Sequence, residues 1–216
     1  MTGRPGPYQR QQSGPGDRFP GLDVLGQARH WDSVTAGLVA ARLSPPSGLA
    51  FFTPAEAACA GVLLNLLTGQ EDNQEISVLH MIDARLAAGE TDGWRYRDMP
   101  EDAQAWRDTL AYLDQDADRR CGTTFADAPE DDQLALIQAV QDLAAKDWHE
   151  LNAAHVWSLW TRYACTALYA HPLAWDEIGF SGPAYPRGYK NIGVDKLEPY
   201  EVRDARPSGD PIREGT

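Results

Sequence analysis

Apolar residues recur at helical spacing along most of the chain and alternate nowhere over a useful length. Leu22 to Leu43 reads as a first helix, weakened by Gly26 and Gly37 and stopped by the Ser44-Pro45-Pro46-Ser47-Gly48 run. The stretch FFTPAEAACAGVLLNLLTGQ, from Phe51, carries the clearest helix start. Thr53 is a good N-cap, Pro54 falls at the first helical position and Glu56 completes a capping box, with Phe52 placed to staple onto the first turn. Gly69 ends this helix. Gln74 to Ala88 repeats Ile76, Leu79, Ile82 and Leu86 on one face, with Gly89 behind it. Pro100-Glu101-Asp102 opens a helix over Ala103 to Leu113, and Pro129 with three acidic residues opens another to about Leu143. Asp114 to Asp127 reads as a turn-rich link between them. The last long helix runs from about Lys146 to Ala170. Its stripe of Trp148, Leu151, His155, Leu159 and Tyr163 widens through Val156, Trp157, Trp160, Ala164 and Leu168 to more than half the circumference, so it should be wrapped on several sides. Pro172 stops it.

The expectation is an all-α fold of about six helices in one domain, residues 22–193. An irregular N-terminal arm (1–21) and an extended C-terminal arm (194–216) flank it. The N-terminal arm holds nine Gly or Pro in twenty-one residues and no apolar core of a secretory signal. With 216 residues and 43% apolar content, the chain can bury a sizeable core. Its formal net charge of −13, without a long basic run, argues against nucleic acid and anionic lipid as partners. No stretch approaches the ~20 apolar residues that cross a bilayer. Three cysteines lie far apart; Cys59 and Cys165 fall in helical patterns and read as small core residues, with pairing between two of the three left open.

Candidate chemistry is thin. HELNAAH, His149 to His155, lacks the second metalloprotease histidine, since Ala153 stands there. Six residues on a helix turn through about 240°, so His149 and His155 should not share a metal and read as one surface and one core histidine. Asp114, Asp116 and Asp118 open like a calcium loop, but Arg119 replaces the turn glycine and Phe125 the bidentate acid. His80 and Asp83 stand three apart on one helix face, a spacing that suits an oriented base but more readily a structural hydrogen bond. No nucleophile elbow, dinucleotide fingerprint or phosphate loop accompanies them.

The segment after the last helix is unusual. HPLAWDEIGFSGPAYPRGYKNIG, His171 to Gly193, packs seven Gly or Pro among twenty-three residues yet keeps Trp175, Ile178, Phe180, Tyr185 and Tyr189. Such a segment must satisfy its own backbone while hiding large aromatics. It either folds back over the chain's own apolar surface or lies in a groove on another protein, and both can hold at once. On a partner, the contacts would come from His171, Trp175, Ile178, Phe180, Pro183, Tyr185, Pro186 and Tyr189.

FTPAEAACAGVLLNLLTGQ, GTTFADAPEDDQLALIQAV and HPLAWDEIGFSGPAYPRGY together resemble the gluconate 2-dehydrogenase subunit 3 family. The resemblance spans roughly Phe51 to Tyr200 and is most specific over Trp175 to Tyr189. It implies a non-catalytic small subunit, in a heterodimer, that binds and matures a large flavoprotein of the glucose–methanol–choline (GMC) type. The partner would carry FAD and the catalytic bases, act on a sugar or polyol, and in many members pass electrons to a cytochrome. Typical members also carry a twin-arginine export signal, where this chain has its Gly/Pro-rich arm. A cytoplasmic complex is therefore expected, or a periplasmic or membrane-associated one if the partner carries the signal. Two alternatives stand beside this: a free-standing helical adaptor, and a helical enzyme using His80, Asp83 or His155.

Overall fold

The capping box expected at Thr53 is formed. In the computed structural model, which describes residues 18–44, 48–70 and 76–208, Thr53 accepts from the Glu56 N–H and the Glu56 carboxylate accepts from the Thr53 N–H. The helix it starts, α2, follows α1 (Ser33–Arg42) and runs Pro54–Thr68 to a left-handed Gly69. After it come α3 (Val78–Ala87), α4 (Asp102–Cys121), α5 (Glu130–Leu143), α6 (Ala153–Ala170) and the short α7 (Pro172–Glu177), with a 3₁₀ turn over Leu25–His30 before α1. A two-residue hairpin, β1 (Asp147–Trp148) and β2 (Leu151–Asn152), is the only sheet among the described residues. The all-α expectation holds, with six helices of seven or more residues.

The described chain divides into two compact units. One is Ala41–His171; the other joins the described residues up to Ala40 with those from Pro172 onward.

The larger unit is built around α6, which packs on α2, α3, α4 and α5. This is the wrapping that its broad apolar face requires. Trp160 and Tyr163 of α6, Trp106, Leu110 and Leu113 of α4, Leu63 and Leu64 of α2 and Ile82 of α3 are almost fully buried there. Edge-to-face contacts link the rings: Trp106 to Phe52 at 6.0 Å, Trp106 to Tyr163 at 5.8 Å and Trp148 to Trp160 at 5.5 Å. The polar tips of the two α6 rings find acceptors, whereas the Trp106 indole N–H is buried without one among the described residues. Trp160 Nε1 donates to Thr109 at 3.1 Å and the Tyr163 hydroxyl to Asp102 at 2.7 Å.

Several boundaries differ from the sequence expectation. The 22–43 helix is split: Asp32 accepts the Thr35 N–H at 2.8 Å and starts α1 afresh. The third helix begins at Val78; residues 74 and 75 of the expected span lie outside the described residues. The expected link from Asp114 is instead the second half of α4, because Leu113 and Ala117 continue its buried stripe at helical spacing. Asp114 then accepts the Phe125 N–H at 2.9 Å and Asp116 the Trp148 indole N–H at 2.9 Å, so two of the three supposed calcium ligands hold the fold. The last long helix starts at Ala153, not Lys146, with Asn152 as its cap. His149 therefore lies in the hairpin turn, at φ 51, rather than on a helix. It stacks on Tyr112 at 4.3 Å and meets Asp116, while His155 stacks on Tyr96 at 3.7 Å and meets Asp98; both imidazoles are half-buried, so neither is a core or a surface residue. The three thiols are free: Cys59 is buried as expected, but Cys165 faces solvent from α6.

The smaller unit has its own core, in which Trp175 of α7 meets Leu22, Val24, Trp31 and Val39. Two ties close it at the backbone. Asp176 accepts the Val24 N–H at 3.1 Å, and the Ala205 N–H donates to the Arg18 carbonyl at 2.7 Å beside an Arg18–Asp204 ion pair. Arg18 holds the Asp204 carboxyl below the usual carboxylate range. The C-terminal segment is thus anchored through Arg206, which also offers its carbonyl to Arg18.

Candidate functional site

The histidines and carboxylate nominated as a catalytic set are each engaged elsewhere. Asp83, almost fully buried on α3, accepts three backbone N–H groups: Ala50 at 2.6 Å, Phe51 at 3.0 Å and Phe52 at 2.8 Å. It clamps the approach to α2. His80 bonds through Nδ1 to Ser77 at 2.6 Å, and His155 through Nδ1 to Asp98 at 2.9 Å. Arg107 completes the clamp by reaching Glu56 at 2.6 Å and the Phe51 carbonyl at 3.0 Å. Burial pushes the Glu56 carboxyl up, but the Thr53 amide and Arg107 outweigh it and hold it below its ordinary value. Among the described residues no group of three or more His, Cys, Asp or Glu could hold a metal ion.

The post-α6 segment is placed by glycine. Gly179 (φ +73) and Gly182 (φ +77) take a backbone conformation that side chains resist. A Cβ at Gly179 would stand 2.3 Å from Phe19, and one at Gly182 would stand 2.7 Å from the Trp31 ring. Only a bare backbone lets the strand of chain lie this close to the N-terminal residues. Trp175, at 3% exposure, is driven down into the small core, and Phe180 sits edge-to-face on it at 5.2 Å. Beyond that footing the segment turns outward.

The eight residues nominated for partner contact thus divide. His171, Trp175 and, in part, Pro183 are buried in the lone chain; burial lowers the His171 imidazole below its usual value. Ile178 (46%), Phe180 (40%), Tyr185 (64%) and Tyr189 (55%) are exposed, as is Pro186, which follows Tyr185 across a cis bond. The same unit exposes Val34 and Leu38 one turn apart on α1, and Ile192 and Val194 after the strip.

Sequence reasoning missed two further residues at the edge of the strip. Arg187 lies 3.8 Å over the Tyr200 ring, and Tyr200 in turn neighbours Tyr189 at 6.4 Å. Tyr200 donates to the Gly188 carbonyl at 3.0 Å, and Arg187 Nη1 to Gln27 at 2.8 Å. A lone arginine inside an aromatic run was the available signal.

A family model described as gluconate 2-dehydrogenase subunit 3 matches residues 54–182, more than half of the chain. The match takes in α2 to α7 and ends at Gly182. No match was found among curated proteins or among solved structures. No described helix is long and apolar enough to cross a membrane. With most of its helical scaffold and the base of its aromatic strip inside the matched span, the chain belongs to the gluconate 2-dehydrogenase subunit 3 family, whose members are small subunits of a dehydrogenase complex.

Proposed function

We propose that this chain is a non-catalytic small subunit that binds a large FAD-dependent flavoprotein of the GMC type and stabilises it during maturation. Catalysis on a sugar or polyol, and the flavin, belong to that partner; a cytochrome is the acceptor of its electrons. The carrying observation is the exposed row of Ile178, Phe180, Tyr185 and Tyr189 on a base locked by Gly179 and Gly182. Rigid aromatics bind with little loss of conformational freedom, and aromatic anchors dominate interface energies. The commitment of the Asp83 carboxylate to three backbone N–H groups supports the same reading, because it ties up the acid of the His80–Asp83 pair. The complex assembles in the cytoplasm, where the flavoprotein matures.

Co-expression with a GMC-type flavoprotein, then size exclusion and flavin absorbance, tests this. The two chains should co-elute, and flavin loading should rise when this chain is present. Tyr185→Ser combined with Tyr189→Ser should weaken association by about tenfold or more, from at least ~1.4 kcal/mol of lost anchor contacts, while leaving the thermal unfolding of the free chain nearly unchanged, since both rings are more than half exposed. Failure to co-elute, with flavin loading indifferent to this chain, rejects the proposal.

A further inference from the structure

Beside the aromatic strip, the small unit holds a cavity of about 530 Å³ lined by Arg29, His30, Arg187, Lys190, Glu198 and Tyr200, among others. Its charge runs against that of the molecule. The chain carries −13 overall, yet three permanent cations converge here. Among the described residues no carboxylate pairs with the side chain of Arg29, Arg187 or Lys190. The one lining acid, Glu198, is nearly fully buried and already accepts the backbone N–H groups of Lys190 and Asn191 and the Asn191 side-chain amide. It is pinned as a loop staple rather than a counter-charge.

Arg187 carries the argument. Nη1 donates to Gln27, and the guanidinium face lies on Tyr200. Nε and Nη2 are closed to solvent and have no acceptor among the described residues. Those two N–H groups form the side edge of the guanidinium fork, which matches the two oxygens of a carboxylate. A fork with its face stacked, its far nitrogen anchored and its bidentate edge unfilled is organised for one more ligand. Orphaned buried donors are rare unless something completes them.

We infer that the Arg187–Tyr200 cavity is a carboxylate site, filled in the complex by an acidic side chain or terminal carboxylate of the flavoprotein. The polypeptide source follows from continuity: Tyr200, a wall of the cavity, neighbours Tyr189 of the exposed strip. One partner surface can therefore cover the strip and place an acid in the cavity. Because Nε and Nη2 are closed to water, the acid seats only as surrounding side chains rotate, and it then binds dehydrated, where the charge-assisted pair is strongest. The inference rests on the small-subunit reading above; the test separates the two.

The first measurement uses the free full-length chain. Sodium acetate is titrated against sodium chloride at constant ionic strength while the Arg187 Nε–H resonance, assigned by its loss in Arg187→Lys, is followed. A saturable acetate-specific shift is expected; a shift that is absent, or equal with chloride, overturns the site. The second measures association with the flavoprotein. Arg187→Lys keeps the charge but loses the fork, and should weaken the complex at least tenfold. N-acetylglutamate should compete with the wild-type complex and not with the residual Arg187→Lys complex. Wild-type affinity in the variant, or a loss without competition, shows a merely structural arginine and overturns the inference while the small-subunit reading stands. No complex at all, with acetate still saturating Arg187, rejects the small-subunit reading and assigns the cavity to a small free acid instead of a partner.

Discussion

Replacing Trp175 with alanine separates a core residue from an interface anchor. In the free chain Trp175 is 3% exposed and meets Leu22, Val24, Trp31 and Val39. A buried indole removes roughly 150–250 Å² from water, worth about 4–6 kcal/mol at ~25 cal/mol/Å² as an upper bound. Measured truncations of core Phe or Trp fall at about 3–5 kcal/mol. The smaller unit's core cluster has five buried members, so that loss is a large share of what holds it. Hydrogen exchange followed by peptide is the suitable assay. Residues 18–40 and 172–208 should lose protection by a hundredfold or more, about 1.4 kcal/mol per tenfold, while α2 to α6 keep theirs. Flavoprotein binding should fall too, because the strip loses its base. The reasoning is refuted if the variant keeps full protection over 18–40 and loses only partner affinity, for then Trp175 would act as a surface anchor.

Three other outcomes follow from the geometry. Asp83→Ala strands three backbone N–H groups and should destabilise the larger unit by roughly 3 kcal/mol or more in urea unfolding, with Asp83→Asn intermediate because one acceptor oxygen survives. Gly182→Ala drives a Cβ against the Trp31 ring at 2.7 Å in a left-handed conformation, and should lower the smaller unit's exchange protection by about 2–4 kcal/mol, from ~1–3 for overpacking and ~1 for the backbone. Burial depresses the His171 imidazole below 6.5, so the folded chain favours its neutral form. Stability from this group is full above the unfolded pKa of about 6.5 and drains away as pH falls through the lower folded value. The urea midpoint should therefore drop between about pH 7 and 5, and His171→Gln should flatten that slope.

What could be read from the sequence was local. Thr53, Pro54 and Glu56 announce α2 because a capping box is complete within four residues. The broad face of α6 announces that several helices will surround it. The β1–β2 hairpin gave no signal, since two-residue strands have no room to alternate. The second half of α4 was hidden because it carries Asp114, Asp116, Asp118, Arg119 and Arg120, which resemble a polar link until Leu113 and Ala117 are seen packed. The aromatic strip was legible as a breaker-rich segment with large apolar side chains, but its division into buried and exposed members was not. Whether Trp175 faces inward depends on Val24 and Asp176 meeting across 152 positions, and nothing near either residue encodes that meeting. Arg187 was missed for the same reason: Gln27 and Tyr200, which fix it, come from opposite ends of the chain.

That the smaller unit is assembled from both ends sets an order of events. Residues around Leu22 and Trp31 leave the ribosome early and then wait through some 150 positions of synthesis, the separation of the Val24–Asp176 tie, before their packing partners exist. A nascent or prematurely terminated polypeptide therefore offers no properly shaped aromatic ledge, and a flavoprotein that grips this ledge would engage only finished copies.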